Sequence, residues 1–266
     1  MPTTILPWHP GMNRALGSAS RATLADAQFE ALLADIAAAA PLLPIAGIIS
    51  GYLGHAAQAQ PIAALVRAVK AAHPNALYVC DPVTGDAGGL YVPEATALAV
   101  RACLLPLADI VTPNRFELGW LTGRNVETVD AAVDAARHLA VARVLVTSAP
   151  LAEGRTGNLL VGQHNFLCHH PAFAPVPNGT GDMLAAAFLA RCLRLHHTDP
   201  AENDAMTDRT ALADATSAVA RAADYAAQRG DSVLLLSSRH IPAEHPLPDI
   251  TLEPVMPQDA IMGRAS

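Results

Sequence analysis

Short apolar runs rich in β-branched residues alternate with longer alanine-rich stretches along most of the chain. Five of these runs have the length and composition of buried strands: Ile45–Ser50, Leu77–Cys80, Ile110–Thr112, Arg143–Thr147 and Val233–Leu236. Their apolar residues are continuous rather than alternating, which is typical of strands that helices cover on both faces. The runs therefore predict the interior of a layered sheet.

The alanine-rich stretches place their apolar residues at helical spacing. They predict four helices, over about Thr23–Ala39, Ala56–Ala72, Pro93–Leu104 and Thr128–Leu139. Thr23 and Asp26 have the spacing of a capping box at the start of the first helix. Strands that alternate with helices of this length predict parallel β-α-β units, and hence an α/β fold.

The pattern changes after residue 150. The apolar runs Asn158–Val161 and Asn165–Cys168 flank a short polar segment and predict a hairpin. Two further helices are predicted over Met183–Leu195 and Ala211–Gln228. The chain has no internal repeat and no clear linker, so we expect one domain over residues 1–241. The proline-rich residues 242–266 are expected to form a loosely ordered tail.

Composition and charge exclude several classes of protein. Of the 266 residues, 52% are hydrophobic, which argues against disorder and allows a substantial core. The formal net charge of -7 argues against nonspecific nucleic-acid binding, which needs a basic surface. The nearest approach to a membrane span, Ala31–Ile49, is interrupted by Asp35, Pro41 and Pro44, so we expect no membrane span.

The amino terminus and the cysteines indicate the compartment. No basic region followed by an apolar core opens the chain, so we expect no signal peptide. Cys80, Cys103, Cys168 and Cys192 are far apart and form no C-x-x-C pair. This distribution is typical of free thiols in a reducing compartment, and we expect a cytoplasmic protein.

Candidate chemistry is concentrated at Gly179, Thr180, Gly181 and Asp182, between a proline-rich segment and a predicted helix. The glycines permit a tight turn that presents amide N–H groups at the helix amino terminus, where the helix dipole favours an anion. The Asp182 carboxylate can take a proton from an attacking hydroxyl while the amides stabilise phosphoryl charge. The tetrapeptide alone equally allows an aspartate that only stabilises the start of a helix.

Five segments between residues 50 and 195 form an ordered set of motifs. They are S-G-Y-L-G at Ser50–Gly54, C-D-P-V at Cys80–Val83 with G-D at Gly85–Asp86 and Y-V-P at Tyr91–Pro93, A-D-I-V-T-P-N-R-F-E-L at Ala108–Leu118, V-T-S at Val146–Ser148, and G-T-G-D at Gly179–Asp182. In order and spacing this set resembles the pyridoxal kinases of the ribokinase superfamily. The resemblance implies a ribokinase-like three-layer α/β/α fold with a central, mostly parallel sheet. It also implies ATP-dependent phosphorylation of the 5′-hydroxymethyl group of pyridoxal or a related B6 vitamer.

The resemblance further implies a role for each motif residue. Asp182 is the expected base for the substrate hydroxyl, beside an anion hole of Gly179, Thr180 and Gly181. The expected ATP contacts are Asp81, Asn114, Thr147, Ser148, Phe173, Ala174, Pro175 and Thr180. The residues expected near Mg²⁺ or a monovalent cation (K⁺ or Na⁺) are Asp81, Asp86, Thr112, Glu117 and Thr147. The expected substrate contacts are His9, Pro10, Tyr52 and Asp182, and the assembly implied is a homodimer.

Several of these residues also have a purely structural interpretation. Asp81, before Pro82, is also compatible with a turn at a strand end. Asn114 has the position of a helix N-cap and Glu117 that of its capping-box partner, a role that can coexist with ligand binding. The histidine pairs at residues 169–170 and 196–197 are interpreted as surface or packing residues, because adjacent side chains face apart.

The resemblance has one gap at the start of the chain. The family's opening strand with S-x-V-x-x-G-x-x-G is absent, and Trp8–Gly11 stands where S-N-H-T/P-G would be. We therefore expect the amino-terminal β-α unit to be incomplete, through a late start or through divergence. Pro10 also occupies a position where many members have a threonine that touches substrate. Alternatives to a pyridoxal kinase are a hydroxymethylpyrimidine kinase and a truncated or degenerate paralogue that binds nucleotide or vitamer without catalysis.

The scarcity of lysine excludes other chemistries. Lys70 is the single lysine, within a predicted helix and away from every motif, and is interpreted as a solvated side chain. It cannot serve a G-x-x-x-x-G-K-[ST] loop, and no lysine is placed for a Schiff base to pyridoxal phosphate. No G-x-G-x-x-G follows a strand, which argues against a dinucleotide oxidoreductase.

Overall fold

The computed structural model describes residues 1–6, 20–198, 204–234, 241–242 and 244–256. The chain forms two compact units, residues 1–111 and residues 112–266. Within the described ranges, no helix has the length and apolarity that crossing a membrane requires. The single kinase domain over residues 1–241 stays a prediction.

The first unit alternates helices with parallel strands. Its elements are α1 (Asp26–Ala39), β1 (Gly47–Ser50), α2 (Ala59–Ala72), β2 (Leu77–Cys80), β3 (Gly85–Asp86), β4 (Gly89–Leu90), α3 (Glu94–Ala99) and β5 (Ile110–Val111). β1 pairs with β2, and β2 with β5, both in parallel, with Ile48 opposite Tyr78 and Cys80 opposite Val111. The short β3 and β4 form an antiparallel hairpin. The alternation confirms the predicted parallel β-α-β units.

The apolar spacing of the helices explains their packing in this unit. In α2, Ile62, Val66 and Val69 lie on one face and are all buried. In α1, Phe29 and Leu33 are one turn apart and buried, and α1 contacts α2. Helices α1 and α2 end at the predicted residues and begin three residues later than predicted. This agreement is expected, because helical periodicity is a local property of the sequence.

The predicted capping box at Thr23 is wrong. Helix α1 begins at Asp26 with Ala25 as its N-cap, and no side chain caps it. The preceding chain is instead held by tertiary contacts, since Ala22 forms an antiparallel bridge with Ile5. The Thr23 methyl group lies only 3.0 Å from where a Cβ atom on Gly54 would be, so Thr23 packs there rather than on its own helix.

The interpretation of Lys70 as a solvated side chain is also wrong. Its ammonium lies 2.7 Å from the Asp109 carboxylate and donates to the Leu107 carbonyl at 3.0 Å. Asp109 in turn accepts from the Tyr78 amide at 2.7 Å, and the Asp109 amide donates back to the Tyr78 carbonyl at 3.0 Å. Lys70 therefore neutralises the Asp109 carboxylate, and Asp109 holds the start of β5 next to β2.

The second unit has antiparallel strands packed against helices. Its elements are α4 (Arg115–Thr122), α5 (Val129–His138), β6 (Arg143–Val146), β7 (Arg155–Val161), β8 (Phe166–Pro171), α6 (Thr180–Thr198), α7 (Asp204–Arg229) and β9 (Thr251–Pro254). β6, β7, β8 and β9 pair in that order, each antiparallel to the next. β7 and β8 confirm the predicted hairpin, with Leu159 opposite Leu167.

Helices cover both faces of β7. Its residues Gly157–Val161 are buried without interruption, and both α5 and α7 contact the strand. The Asn158 amide donates to the Thr216 hydroxyl on α7 at 3.0 Å, which satisfies a polar side chain inside the layer. From β6, the Arg143 guanidinium reaches the buried Asp208 carboxylate on α7 at 2.7 Å. These layers, with the parallel strands of the first unit, confirm the predicted α/β class.

Two features of the second unit differ from the sequence-based expectation. Of the predicted strand at residues 233–236, Val233 forms an isolated parallel bridge with Asn178, and residues 235–240 lie outside the described ranges. Strand β9 lies in the segment expected to be a loose tail, where it pairs with β8. Backbone pairing with a strand distant in sequence orders that part of a proline-rich segment.

Candidate functional site

The G-T-G-D motif forms the start of α6. Gly179 has a φ of 91°, a left-handed conformation that favours glycine, and α6 begins at the next residue. The first intrahelical bond runs from the Met183 amide to the Gly179 carbonyl at 3.1 Å. The amides of Thr180 and Gly181 precede it, in the turn that a helix leaves without intrahelical acceptors.

The surroundings of this turn leave room for a ligand. Apart from its chain neighbours and the backbone of its own helix, a Cβ atom on Gly181 would meet no atom of the described residues within 4 Å. Asp182 is exposed and lies in the first turn of α6. The arrangement therefore combines helix amides, a positive dipole end and a carboxylate, the groups needed to hold an anion beside a proton acceptor.

Asn178 fixes the approach to this turn. Its amide donates to the Ser232 carbonyl at 2.9 Å, and its carbonyl accepts from the Leu234 amide at 2.9 Å. Its side chain donates to the same Ser232 carbonyl at 3.0 Å. Asn178 thus bonds to Ser232 and Leu234 as a strand residue would. This pairing holds Gly179 in place at the start of the turn Gly179–Asp182, which is called the anion turn below. This role of Asn178 was not predicted from the sequence, because Asn before Gly is more simply interpreted as a turn signal.

A second group of predicted residues meets between β6 and α4. Thr147 and Asn114 form a parallel bridge, and the Thr147 amide donates to the Pro113 carbonyl at 2.9 Å. Ser148 follows with a φ of 53°, a left-handed conformation that is uncommon outside glycine. The structure therefore brings together three predicted nucleotide contacts, and backbone strain is present at one of them.

Asn114 and Glu117 form a complete capping box at the start of α4. The Asn114 side-chain oxygen accepts from the Glu117 amide, and a Glu117 carboxylate oxygen accepts from the Asn114 amide, each at 2.9 Å. Glu117 is buried, with a relative exposure of 2%. The predicted structural role of this pair is confirmed, and the box fixes the carboxylate next to the bridge with Thr147.

Thr112 directly follows β5, two residues before Asn114, and has an unsatisfied hydroxyl. The residue is buried, and its Oγ1 atom has no hydrogen-bond partner among the described residues. A buried hydroxyl without a partner costs roughly 1–3 kcal/mol, so its retention points to a partner absent from the protein chain. A bound cation would be such a partner, because the Thr112 hydroxyl oxygen can serve as one of its ligands.

The loop after β8 holds the residues predicted near adenine. Phe173 stacks on His170, with ring centroids 5.0 Å apart and an interplanar angle of 23°. His170 is buried, and its Nδ1–H donates to the Pro171 carbonyl at 2.8 Å. Burial lowers the pKa of His170, so the ring is held neutral. Ala174 and Pro175 are exposed beside this stack.

Both members of the first histidine pair have the predicted packing or surface role. His170 packs on Phe173, whereas the His169 ring accepts from the Arg155 Nε–H at 2.9 Å. The side chains of the second pair, His196 and His197, lie outside the described residues.

In the first unit, the predicted residues lie at the ends of β1 and β2. Asp81 follows β2, is buried, and donates its amide to the Ser50 carbonyl at 2.9 Å. Val83 has a φ of 44°, an unfavourable conformation for a β-branched residue and a sign of local strain. Asp86 is exposed in the β3–β4 hairpin, where its carboxylate accepts from the Gly88 amide at 2.8 Å.

Besides Asp182, Tyr52 is a predicted substrate contact that the structure describes. Its carbonyl accepts from the Thr3 hydroxyl at 2.6 Å, and its own hydroxyl accepts from the Arg21 guanidinium at 3.0 Å. His9 and Pro10 lie outside the described residues. Neither Arg21 nor Gln58, whose buried side-chain amide bonds the same loop, was predicted from the sequence. The available signal was the spacing of Gln58, which lies four residues before Ile62 and so continues the apolar face of α2.

The candidate metal residues do not form a preorganised cluster of acidic, histidine and cysteine side chains. Among the described residues, no three such side chains are grouped so that they could hold a metal ion. The oxygen donors present are hydroxyls and single carboxylates, which suit a hard cation that keeps water and substrate phosphates as its other ligands.

Comparisons with known proteins agree on one family. The family model described as phosphomethylpyrimidine kinase matches residues 19–233. The pyridoxal kinase PdxY of Deinococcus radiodurans is 40% identical over 200 residues, covering 70% of this chain and 67% of that protein. The pyridoxine/pyridoxal/pyridoxamine kinase of Bordetella avium is 40% identical over 173 residues, covering 62% of this chain and 58% of that protein. The alignments thus span two thirds or less of these relatives.

Solved structures share the fold over nearly the whole chain. The pyridoxal kinase of Leishmania donovani, in complex with ADP and pyridoxamine, superposes with a TM-score of 0.78 and 24% identity, covering 96% of this chain and 88% of that chain. The pyridoxal kinase of Staphylococcus aureus in complex with ADP gives a TM-score of 0.72 and 22% identity, covering 95% and 86%. The chain therefore belongs to the phosphomethylpyrimidine kinase family, and the predicted resemblance to the pyridoxal kinases of the ribokinase superfamily is confirmed.

Proposed function

We propose that the protein is an ATP-dependent kinase that phosphorylates the 5′-hydroxymethyl group of pyridoxal or a related B6 vitamer. The observation that carries the proposal is the start of α6, where left-handed Gly179, the open face of Gly181 and exposed Asp182 share one turn. Relatives named pyridoxal kinase at 40% identity support the same activity.

In this proposal the residues of the G-T-G-D turn divide the chemistry of phosphoryl transfer. Asp182 accepts the proton of the substrate hydroxyl, which makes the oxygen a better nucleophile. The amides of Gly179, Thr180 and Gly181 donate to the transferred phosphoryl group and stabilise its charge. Because Asn178 fixes the turn in register, these donors need little reorganisation when the phosphoryl group arrives.

The nucleotide is proposed to lie along the segments around Asn114 and Thr147. Ser148 and the loop Phe173–Pro175 would complete its contacts, together with Thr180 and Asp81. Backbone strain at Ser148 supports this assignment, because strained residues cluster at functional sites. Stacking of Phe173 on His170 gives that loop a rigid aromatic surface beside which an adenine ring would pack.

The cations are assigned to oxygen donors. Glu117 is proposed to face the Mg²⁺ that accompanies ATP, with Asp86 as a further acidic residue beside that ion, either directly or through water. Asp81, Thr112 and Thr147 are proposed to serve a monovalent cation, and the unpartnered hydroxyl of Thr112 supports this. Bound Mg²⁺ supplies neutralisation of the triphosphate charge.

Replacing Asp182 with asparagine tests the proposal. The change keeps the size of the side chain and removes the proton acceptor, so the vitamer-dependent kcat is expected to fall by roughly 10²–10⁴-fold. ATP affinity, measured by isothermal titration, is expected to change little. Asp130→Asn is the matched control, because Asp130 is likewise exposed in the first turn of a helix, α5. Unaltered turnover in Asp182→Asn would refute the assigned role.

The second candidate substrate is hydroxymethylpyrimidine. It is favoured by the matching family model, which is described as phosphomethylpyrimidine kinase. A panel of pyridoxal, pyridoxine, pyridoxamine and hydroxymethylpyrimidine separates the two, since the preferred substrate has the highest kcat/KM. ATP binding without transfer to any of the four would instead indicate a nucleotide-binding protein without kinase activity.

The cellular setting completes the proposal. We expect a cytoplasmic homodimer that binds ATP and a small vitamer and does not bind nucleic acid. The net charge of -7 supports the last point, because it provides no excess of basic side chains for phosphate contacts. Analytical ultracentrifugation measures the oligomeric state directly.

A further inference from the structure

Gln58 is a buried polar residue at the N-cap position of α2, directly before the apolar face of that helix. It is 1% exposed and lies four residues before buried Ile62. Its side-chain amide forms hydrogen bonds with two backbone groups that lie outside the helix. Its oxygen accepts from the Gly54 amide at 2.8 Å, and its nitrogen donates to the Thr3 carbonyl at 2.8 Å. A buried amide that is hydrogen-bonded at both its oxygen and its nitrogen restrains the groups it bonds.

The segment held in this way is the loop that carries Tyr52. The Thr3 hydroxyl donates to the Tyr52 carbonyl at 2.6 Å, so Gln58 restrains that carbonyl through Thr3. At the far end of the loop, Gln58 binds the Gly54 amide directly. The Arg21 guanidinium then donates to the Tyr52 hydroxyl at 3.0 Å, which orients the end of the ring.

Close packing adds to the restraint at Gly54. A Cβ atom there would lie 2.5 Å from the Thr4 hydroxyl and 3.0 Å from the Thr23 methyl group. Only a glycine fits between these side chains without a shift of the neighbours. The loop between β1 and α2 is therefore seated by contact as well as by hydrogen bonds.

We infer that Gln58 is a positioning residue that sets the affinity of the protein for its organic substrate through the Tyr52 loop. The inference rests on the proposed function, in which Tyr52 contacts the vitamer. Losing the amide leaves the Gly54 N–H and the Thr3 carbonyl without partners and frees the loop. The ring of Tyr52 then spends less time in its binding conformation, which raises the apparent dissociation constant of the substrate.

Gln58→Met tests the inference, since methionine has a similar volume and makes neither hydrogen bond. Amide hydrogen exchange over Tyr52–Gly54 is expected to accelerate about tenfold or more, because the loop loses at least one buried hydrogen bond. The KM for the vitamer is expected to rise about tenfold, with the KM for ATP within twofold of wild type. Gln60→Met is the control, because Gln60 is an exposed glutamine two residues further along, in α2.

A double substitution separates positioning from a general structural effect. In a Tyr52→Ala background, Gln58→Met is expected to raise the vitamer KM by less than twofold further, because both changes act on one contact. A further tenfold rise in the vitamer KM, caused by Gln58→Met in that background, would overturn the inference. If Gln58→Met does not fold, Thr3→Val releases the Tyr52 carbonyl from the other side and is expected to raise the same exchange rate and the same KM.

Hydrogen exchange keeps this inference separate from the proposed function. Wild-type protein that phosphorylates no vitamer would refute the kinase proposal, whereas faster exchange in Gln58→Met would still establish the restraint of the loop. Unchanged exchange over Tyr52–Gly54 would overturn the inference whatever the activity.

Discussion

The capping box of α4 gives a prediction that separates the stability of the protein from its chemistry. Glu117 is 2% exposed, and its carboxylate accepts from the Asn114 amide at 2.9 Å. Replacing Glu117 with alanine removes this charge-assisted bond and leaves the half-buried Asn114 amide at the helix start without a partner. Replacing it with glutamine keeps an oxygen that can accept from the same amide.

The size of the effect follows from these contacts. The hydrogen bond of an ionised acceptor contributes about 1.5–3 kcal/mol and that of a neutral one about 0.5–1.5 kcal/mol. Glu117→Ala is therefore expected to lower the free energy of unfolding by about 2 kcal/mol, and Glu117→Gln by about 1 kcal/mol. At roughly 2–4 °C per kcal/mol for a chain of this size, Tm falls by about 4–8 °C and 2–4 °C respectively.

The assay combines thermal unfolding with kinetics at varied Mg²⁺. Glu127→Ala is the stability control, because Glu127 is an exposed glutamate in the same unit. Glu117→Gln keeps most of the cap but loses the negative charge, so the Mg²⁺ concentration for half-maximal activity is expected to rise about 10–100-fold. A loss below 0.5 kcal/mol in Glu117→Ala would refute the energetic reasoning. An unchanged Mg²⁺ requirement in Glu117→Gln would leave Glu117 with a capping role alone.

Three further predictions concern packing, pH and the anion turn. Lys70→Met is expected to destabilise the protein by about 1 kcal/mol in urea unfolding, because Asp109 loses its counter-ion, whereas exposed Arg67→Met changes stability by less than about 0.5 kcal/mol. Burial lowers the pKa of His170, so below pH ~6.5 the unfolded chain binds more protons, and the free energy of unfolding decreases as pH falls towards the folded-state pKa. In His170→Gln, the free energy of unfolding is expected to decrease less steeply as pH falls, as measured by thermal unfolding at several pH values. A decrease as steep as that of the wild type would contradict the argument. Gly181→Ala places a methyl group on the open face of the anion turn, and ATP hydrolysis or transfer is expected to fall at least tenfold with Tm nearly unchanged.

Local patterns in the sequence predicted those features whose causes are local. The apolar run Leu77–Cys80 is a strand, because a short, uninterrupted apolar run suits a strand that is buried on both faces. The hairpin of β7 and β8 follows from two such runs separated by a short polar segment. The capping box at Asn114 and Glu117 was predicted because both partners lie within one turn of the same helix.

The anion turn was likewise visible in the sequence as a composition of residues. Gly179–Asp182 combines glycines with a carboxylate before an apolar helix, and the structure places that helix and the left-handed glycine accordingly. The capping box predicted at Thr23 failed for the opposite reason. Thr23 packs on Gly54, 31 positions away, and no local rule weighs that contact against a bond to its own helix.

The sequence by itself therefore determined the element types, the α/β class and the motifs of a kinase family. Tertiary structure alone decided which polar side chains are structural and which groups they hold. Lys70 reaches Asp109, 39 positions away, and Gln58 reaches Thr3, 55 positions away. Periodicity reports whether a position is buried, because that depends on the face of one element. The partner of a buried polar group depends on how distant elements pack, which the pattern of any single element does not contain.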